Sequence, residues 1–256
     1  MELSNHTILI TGGTSGFGLE FTKQLLALGN TVIITGRNQD KLDATKKQFP
    51  KVHTFQSDVS DPAAITALFE KVTMQFPKLN MLINNAGEMR KINLHDTSIN
   101  LYDITREIEI NLSGPVRMVQ QFLPFLKTKE RAAILNVTSG LAVVPFPVSP
   151  VYGATKAGLR SYTKSLRVQL KNTNVKVFDL MAPAANTPLN HKFADMGDAG
   201  PVMEADKLVA VAIKGIQNDM FEIRPGMAKV LYFMSRLAPD FLLKQLSKPL
   251  DLMLAK

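Results

Sequence analysis

The sequence predicts an α/β fold: a doubly wound parallel sheet of about seven strands with helices on both faces and a helical C-terminal extension. Three observations carry that prediction. Short β-branched, apolar runs alternate with helical patterns, and the first run ends in a glycine-rich turn that opens a helix. A chain of 256 residues, 45% hydrophobic and 20% charged, can also bury one large core, so residues 1–256 read as a single domain. Right-handed crossovers leave little topological choice.

Thr7 to Ile10 reads as the first strand and Phe17 to Leu28 as the helix after it. The pairing repeats with a strand at Thr31 to Thr35 and a helix at Gln39 to Gln48, then Val52 to Gln56 and Pro62 to Phe76. Met81 to Asn84 precedes one long helix, Leu101 to Lys127, and Ala133 to Val137 precedes another, Val151 to Lys171. Val175 to Met181 closes the series, and most of these strands are continuous apolar runs, as strands covered on both faces require. From Pro183 to Pro201 the rhythm breaks, because Pro, Ala, Asn, Asp and Gly outnumber periodic apolar positions, and a loop with one short helix is expected. Asp206 to Gln217 then reads as a helix and Met220 to Ile223 as a last strand.

Residues 227–256 form the extension. Val230, Leu231, Met234, Leu237, Phe241, Leu242, Leu246 and Leu250 recur there at mixed spacings of three and four, with Lys229, Arg236, Lys244 and Lys248 between them. Pro239 and Pro249 are expected to divide it into short helices. Such a hairpin can cover the preceding loop, pack on the fold or a second subunit, or make peripheral contact with an anionic membrane.

Composition excludes several chemistries. With no cysteine there is no disulfide, thiol nucleophile or Cys-based zinc site, and the four histidines show no paired spacing, so no metal is expected. The net charge of +8 comes without a basic block, a zinc-finger pattern or any Trp, so solvated lysines explain it and no nucleic-acid partner is expected. There is no apolar run of membrane-spanning length and Met-Glu-Leu-Ser-Asn-His lacks signal-peptide character, so a cytoplasmic location is expected.

Two constellations carry chemistry. Thr11-Gly12-Gly13-Thr14-Ser15-Gly16-Phe17-Gly18 lies between the first strand and its helix, where glycines let the backbone turn tightly and approach a pyrophosphate attracted by the helix N-terminus. Tyr152 and Lys156 lie four residues apart on one helix face, with Ser139 in Val-Thr-Ser-Gly and Asn111 in Glu-Ile-Asn-Leu-Ser-Gly upstream. A phenol supplies an acid, an ammonium one turn on holds its conjugate base, and a hydroxyl fixes a carbonyl oxygen. Taken singly, each residue has a structural alternative: Ser139 as a strand-end cap, Asn111 as a helix-kinking amide, Tyr152 as a core edge, Lys156 as a solvated cation.

With Asp58-Val59 after the third strand and Asn84-Asn85-Ala86-Gly87 after the fourth, these motifs in this order resemble the short-chain dehydrogenase/reductase family over nearly the whole chain. Glu107-Ile-Glu-Ile-Asn-Leu, Val137-Thr-Ser-Gly-Leu-Ala and the run after the sixth strand look like the bacterial subgroup named for the oxidoreductase of the D-alanyl-teichoic-acid operon. The resemblance implies a Rossmann-like fold and hydride transfer between nicotinamide C4 and a carbonyl or secondary alcohol. It implies Asn111, Ser139, Tyr152 and Lys156 as the catalytic tetrad: Tyr152 as general acid/base with its pKa lowered by Lys156 and the oxidised cofactor, Ser139 on the substrate oxygen, Asn111 holding a water that links Lys156 to solvent.

The resemblance also implies that Thr11, Gly12, Thr14, Ser15, Gly16, Phe17 and Gly18 shape the cofactor loop, with Asp58 and Val59 at the adenine. A helix cap is the alternative for Asp58. Asn85 and Gly87 would flank the ribose and the floor of the site, Lys156 would grip the nicotinamide ribose, and Thr187 would meet the carboxamide; Asn84 and Ala86 are expected to brace the sheet and Thr138 to be structural. The second strand ends in Gly36-Arg37-Asn38 with no acid, and Arg37 can pair with a 2′-phosphate, so NADP is expected, NAD being the alternative. Residues 183–204 would be the substrate loop. There Ala184 stands where the family usually has Gly, which puts the loop's shape in question. Leu141, Phe146 and Phe193 are expected to meet the substrate, with Val143, Val148, Met181, Leu189 and Met196 nearby, which favours a hydrophobic carbonyl compound. The long helices suggest a homodimer or homotetramer. A non-catalytic NADP(H)-sensing protein on the same fold is the competing function.

Overall fold

The seven strands of the sheet are β1 (Thr7–Thr11), β2 (Thr31–Gly36), β3 (His53–Gln56), β4 (Leu79–Asn84), β5 (Ala132–Ser139), β6 (Val175–Ala182) and β7 (Glu222–Ile223). They are parallel throughout and run in the order β3-β2-β1-β4-β5-β6-β7 in the computed structural model, which describes residues 2–195 and 202–254. The expected Met196 lies outside the described residues, as do residues 197–201 of the 183–204 loop. All of β1 and β5 is buried, as their continuous apolar patterns require.

Helices α1 (Gly16–Ala27), α2 (Gln39–Gln48) and α8 (Ala205–Gln217) cover one face, where Phe21, Leu25, Leu42 and Leu208 pack on Ile8, Ile10 and Ile34. On the other face Ile65 and Leu68 of α3 (Pro62–Gln75), Phe122 of α5 (Gly114–Lys127) and Leu166 of α6 (Pro150–Gln169) pack on Leu9, Ile33 and Leu82. The strand period of two sends Ile8 and Leu9 to opposite cores. Each large side chain buried this way contributes about 1.5–3 kcal/mol. Local signals start the helices: the Asn38 side chain accepts from Lys41 N at 2.8 Å, and Asp61 caps α3 ahead of Pro62 by accepting from Ala63 N at 2.8 Å. The sheet order reverses between β1 and β4, so a crevice opens above their C-terminal ends.

Two helical predictions are corrected. The stretch 101–127 is not one α-helix: α4 (Leu101–Ile108) passes through a π-helical turn, Glu109–Ser113, into α5. Pro115 has no N–H to offer the Asn111 carbonyl four residues back, and a Cβ on Gly114 would stand 2.8 Å from the Val59 carbonyl oxygen, so the extra residue is accommodated there. In the extension, Pro239 does open a helix, but Pro249 lies inside α10 (Pro239–Leu254), which follows α9 (Met227–Leu237). Pro249 removes only the amide bond to the Gln245 carbonyl, and the packing of Leu250 and Met253 beyond it keeps the helix going. Among the described residues no helix is long and apolar enough to cross a membrane.

Candidate active site

The crevice at the β1/β4 switch is a cleft of about 860 Å³. Its cradle follows from the glycine pattern. Gly12 and Gly16 have φ of +67° and +52°, which favour glycine, and a Cβ on Gly18 would lie 2.1 Å from the Gly12 carbonyl oxygen. The chain therefore folds onto itself just before α1, and Ser15 stands at the helix N-cap with no side-chain capping bond. Asn85 Nδ2 donates to the Thr11 and Gly12 carbonyls at 3.0 and 3.1 Å and holds the turn from β4. Backbone amides at a helix start, room for close approach and a free hydroxyl suit a pyrophosphate.

Gly12, Thr14, Ser15, Gly16, Phe17, Arg37, Asp58, Val59, Asn85, Gly87 and Thr187 all line this cleft. Thr11 and Gly18 do not. Thr11 is buried, and its Oγ1 accepts from Asn85 N and Ala86 N, both at 3.0 Å, joining β1 to β4; Gly18 serves by being small. Asp58 does not cap a helix: its carboxylate accepts from Ser60 N and Oγ at 2.9 and 2.7 Å and lies 3.9 Å from Arg37 Nη1, while Asp61 caps α3. Thr187 caps the short helix α7 (Pro188–His191). Ala184 has no positive φ, and its carbonyl accepts from Met203 N at 3.1 Å, which pins the base of the loop.

At the inner end of the cleft, β5 delivers Ser139 and α6 delivers Tyr152 and Lys156. The Ser139 hydroxyl lies near enough to the Tyr152 phenol to hold its pKa down, and it accepts from Leu141 N at 3.1 Å. Lys156 Nζ donates to the Val137 carbonyl at 2.8 Å and lies 5.7 Å from the centre of the Tyr152 ring. Asn111 does not line the cleft. Its Nδ2 donates to Glu88 O at 2.7 Å and to Thr155 Oγ1 at 3.2 Å, and its Oδ1 accepts from Glu88 N at 2.8 Å, so the side chain clamps the strap after Gly87 onto α6. An acid and a hydroxyl placed to share one oxygen, with an ammonium beside them, can move a proton at a carbonyl or alcohol oxygen.

With this geometry in place, comparison with known proteins is decisive: the family model described as short chain dehydrogenase matches residues 6–197. The chain belongs to the short-chain dehydrogenase family. This dehydrogenase is 40% identical over 248 residues to "Uncharacterized oxidoreductase DltE" of Bacillus subtilis, a match covering 96% of this chain and 98% of that protein. It is 34% identical over 175 residues to "NADP-dependent 3-hydroxy acid dehydrogenase YdfG" of Salmonella typhi, covering 68% of this chain and 70% of that one. Among solved structures, 3-ketoacyl-(acyl-carrier-protein) reductase from Brucella melitensis complexed with NADH superposes with a TM-score of 0.77 at 28% identity, covering 86% of this chain and 95% of that one. The subgroup resemblance seen in the sequence agrees with the first of these, and the chain is an oxidoreductase.

Burial dominates the electrostatics of the dehydrogenase's site. It pushes the Tyr152 phenol up to about 12, against the lowering by the Ser139 bond, with Glu107 adding to the rise. It pulls Lys156 down to about 8, against Asp179, whose charge holds it up. The phenol in the chain alone is thus raised, where the resemblance implied lowering: Lys156 does not offset the loss of water. For Lys156 the sign is clear. Between pH 8 and 10.5 the unfolded chain keeps a proton that the folded chain has released, so the penalty for the buried ammonium is full below pH 8 and vanishes by 10.5. Lys156→Met should therefore gain stability relative to the wild type below pH 8, on the order of 3 kcal/mol before the loss of the Val137 bond is counted. That advantage should fade between pH 8 and 10.5 in urea titrations, and a difference that stays constant with pH would refute it.

Leu141, Phe146, Leu189 and Phe193 line the cleft together with Tyr152, with Phe146 and Phe193 ring centres 6.4 Å apart. Val143, Val148 and Met181 do not; Val148 packs behind Tyr152, and Met181 is buried in the sheet. Sequence reasoning missed Met89, which lines the cleft and packs in the same cluster as Tyr152, and it missed Asp179, the one acid in the apolar run of β6. Asp179 is hydrogen-bonded by Thr138 Oγ1, which gives Thr138 its structural role. A lone acid inside a buried strand was the available signal.

Proposed function

We propose that the chain is an NADP(H)-dependent carbonyl reductase or secondary-alcohol dehydrogenase with Tyr152 as general acid/base. The observation that carries this reading is the meeting of Ser139 and Tyr152 hydroxyls, with Lys156 alongside, in the cleft that begins at the glycine cradle. When bound, the nicotinamide supplies or accepts the hydride at its C4. Ser139 holds the substrate oxygen, and Tyr152, neutral at pH 7, gives that oxygen its proton. In the other direction the phenol must first lose its proton, a step that its burial opposes. Lys156 holds ribose hydroxyls with its ammonium. Asn111, through Glu88 and Thr155, keeps the floor at Gly87 against Lys156, and in this reading it also holds the water that links Lys156 to solvent.

The preference for NADP is assigned to Arg37. It lines the cleft, is largely exposed, and no acid at the end of β2 opposes a 2′-phosphate. The Salmonella typhi relative's NADP-dependence supports this assignment. Hydrogen bonds to charged groups contribute about 1.5–3 kcal/mol, so Arg37→Ala should weaken NADP about tenfold or more and leave NAD unchanged. Thermal shifts with the two dinucleotides test this, and equal shifts in the wild type would remove the role. The exposed apolar Leu101 and Tyr102 on α4 and Val168 on α6 support a homodimer or homotetramer, for which light scattering showing a monomer would be decisive against. A cysteine-free chain drawing on a nicotinamide pool fits the cytoplasm.

A further inference from the structure

We propose that α10 is the outer wall of the substrate half of the cleft and that its Lys248, aided by Gln245, receives an anionic end group. The substrate is then an amphipathic anion: a carbonyl compound with an apolar body and a carboxylate or similar oxyanion. The proposal rests on reading the cleft as a carbonyl-reducing site and adds the class of molecule it takes.

The extension is built into the site. From α9, Leu231 packs so closely on the turn after Ser139 that a Cβ on Gly140 would lie 2.9 Å from its Cδ1. From α10, Leu250 and Met253 pack against the cluster of Met89, Val148, Tyr152 and Phe193. The helix is thereby held beside the reactive phenol. Gln245, Lys248 and Pro249, at spacings of three and four, present one face of α10 to the cleft. Between that face and Tyr152 the wall is apolar, formed by Leu141, Phe146, Leu189 and Phe193.

Charge gives the end group its sign. Among the described residues the only carboxylate lining the cleft is Asp58, beside Arg37 and away from this half. Lys248 is exposed, forms no ion pair among the described residues, and is the one charged side chain that α10 brings to the cleft. A substrate whose carbonyl reaches Ser139 and Tyr152 lays its apolar body along the two phenylalanines and leaves its far end at this ammonium. An anion there gains a partner and meets no lining carboxylate, whereas a cation meets repulsion.

The test uses the NADPH-loaded protein with decanoate and decanol as probes in calorimetric titrations, so that binding is read without turnover. Lys248→Glu, a surface change that leaves the Leu250 and Met253 packing intact, should weaken decanoate about tenfold and leave decanol within about twofold. Raising the salt to about 0.5 M should shrink the decanoate affinity of the wild type and have little effect on that of the variant. Equal losses for the two probes, or none, would overturn the assignment of Lys248. Turnover of 4-oxodecanoate against its methyl ester is measured alongside. A lower KM for the acid in the wild type, lost in the variant with kcat unchanged, supports the proposal, and equal KM values count against it. If neither compound is reduced while the decanoate effect holds, the anion subsite stands and the carbonyl-reducing reading is what fails.

Discussion

Tyr152→Phe is expected to lower turnover of any carbonyl substrate by about 10²- to 10⁴-fold, the range spanned by a positioned general acid. The rest of the site should be preserved. The ring is buried, 8% exposed, and packs with Met89, Val148 and Phe193, all contacts that phenylalanine retains. Ser139 loses one hydroxyl partner but still accepts from Leu141 N, so no buried polar atom is orphaned and stability should change by only about 1 kcal/mol. Stabilisation by NADPH should match that of the wild type, because the cradle lies elsewhere. Steady-state rates with thermal shifts check the pair of outcomes. A variant that keeps wild-type rates would place the proton donor elsewhere, and a protein that only senses the dinucleotide would show no change in its effect.

Gly18→Ala should nearly abolish dinucleotide binding. The added Cβ would stand 2.1 Å from the Gly12 carbonyl oxygen and 2.5 Å from Asn85 Nδ2, and the first of these is backbone that cannot swing aside. Either the turn or the start of α1 must move. Overpacking of this kind costs about 1–3 kcal/mol, and displacing the cradle by about 1 Å lowers its fit to a phosphate pair about 10²-fold. Fluorescence titration with NADPH measures the loss, and urea unfolding measures the strain. Gly13→Ala makes a useful contrast: its Cβ would strike the Ile34 side chain at 2.4 Å, so its cost falls on β1/β2 packing. Normal NADPH affinity in Gly18→Ala would mean that the turn is not the phosphate site.

How far the site was legible depended on how local each cause was. Gly12, Gly16 and Gly18 were legible because the conformations and approaches they permit are demanded within a few residues. Ser139, Tyr152 and Lys156 were legible through their order and the four-residue helix spacing. Asn111 was found, but its surroundings were not, because the π turn depends on Gly114 approaching Val59, which lies far off in sequence. Thr11 pointed at a ligand in sequence and instead ties β1 to β4, since only strand pairing brings the Asn85 and Ala86 amides to its hydroxyl. Pro249 reads as a break in sequence because its single lost bond is visible there, whereas the packing of Leu250 and Met253 that compensates for it is not.

By itself, then, the sequence determined the doubly wound sheet, the glycine turn ahead of α1, the placing of Tyr152 and Lys156 on one helix face and the absence of cysteine chemistry. Periodicity, backbone permission and residue chemistry are properties of short segments. The tertiary structure alone decided that Tyr152 sits at about 12 and Lys156 at about 8, since both shifts come mainly from water excluded by neighbouring elements. It alone decided that α9 and α10 close against Gly140 and the Tyr152 cluster, which bring residues more than eighty positions apart into contact. Burial and long-range contact arise only when the elements pack, and no window of sequence contains them.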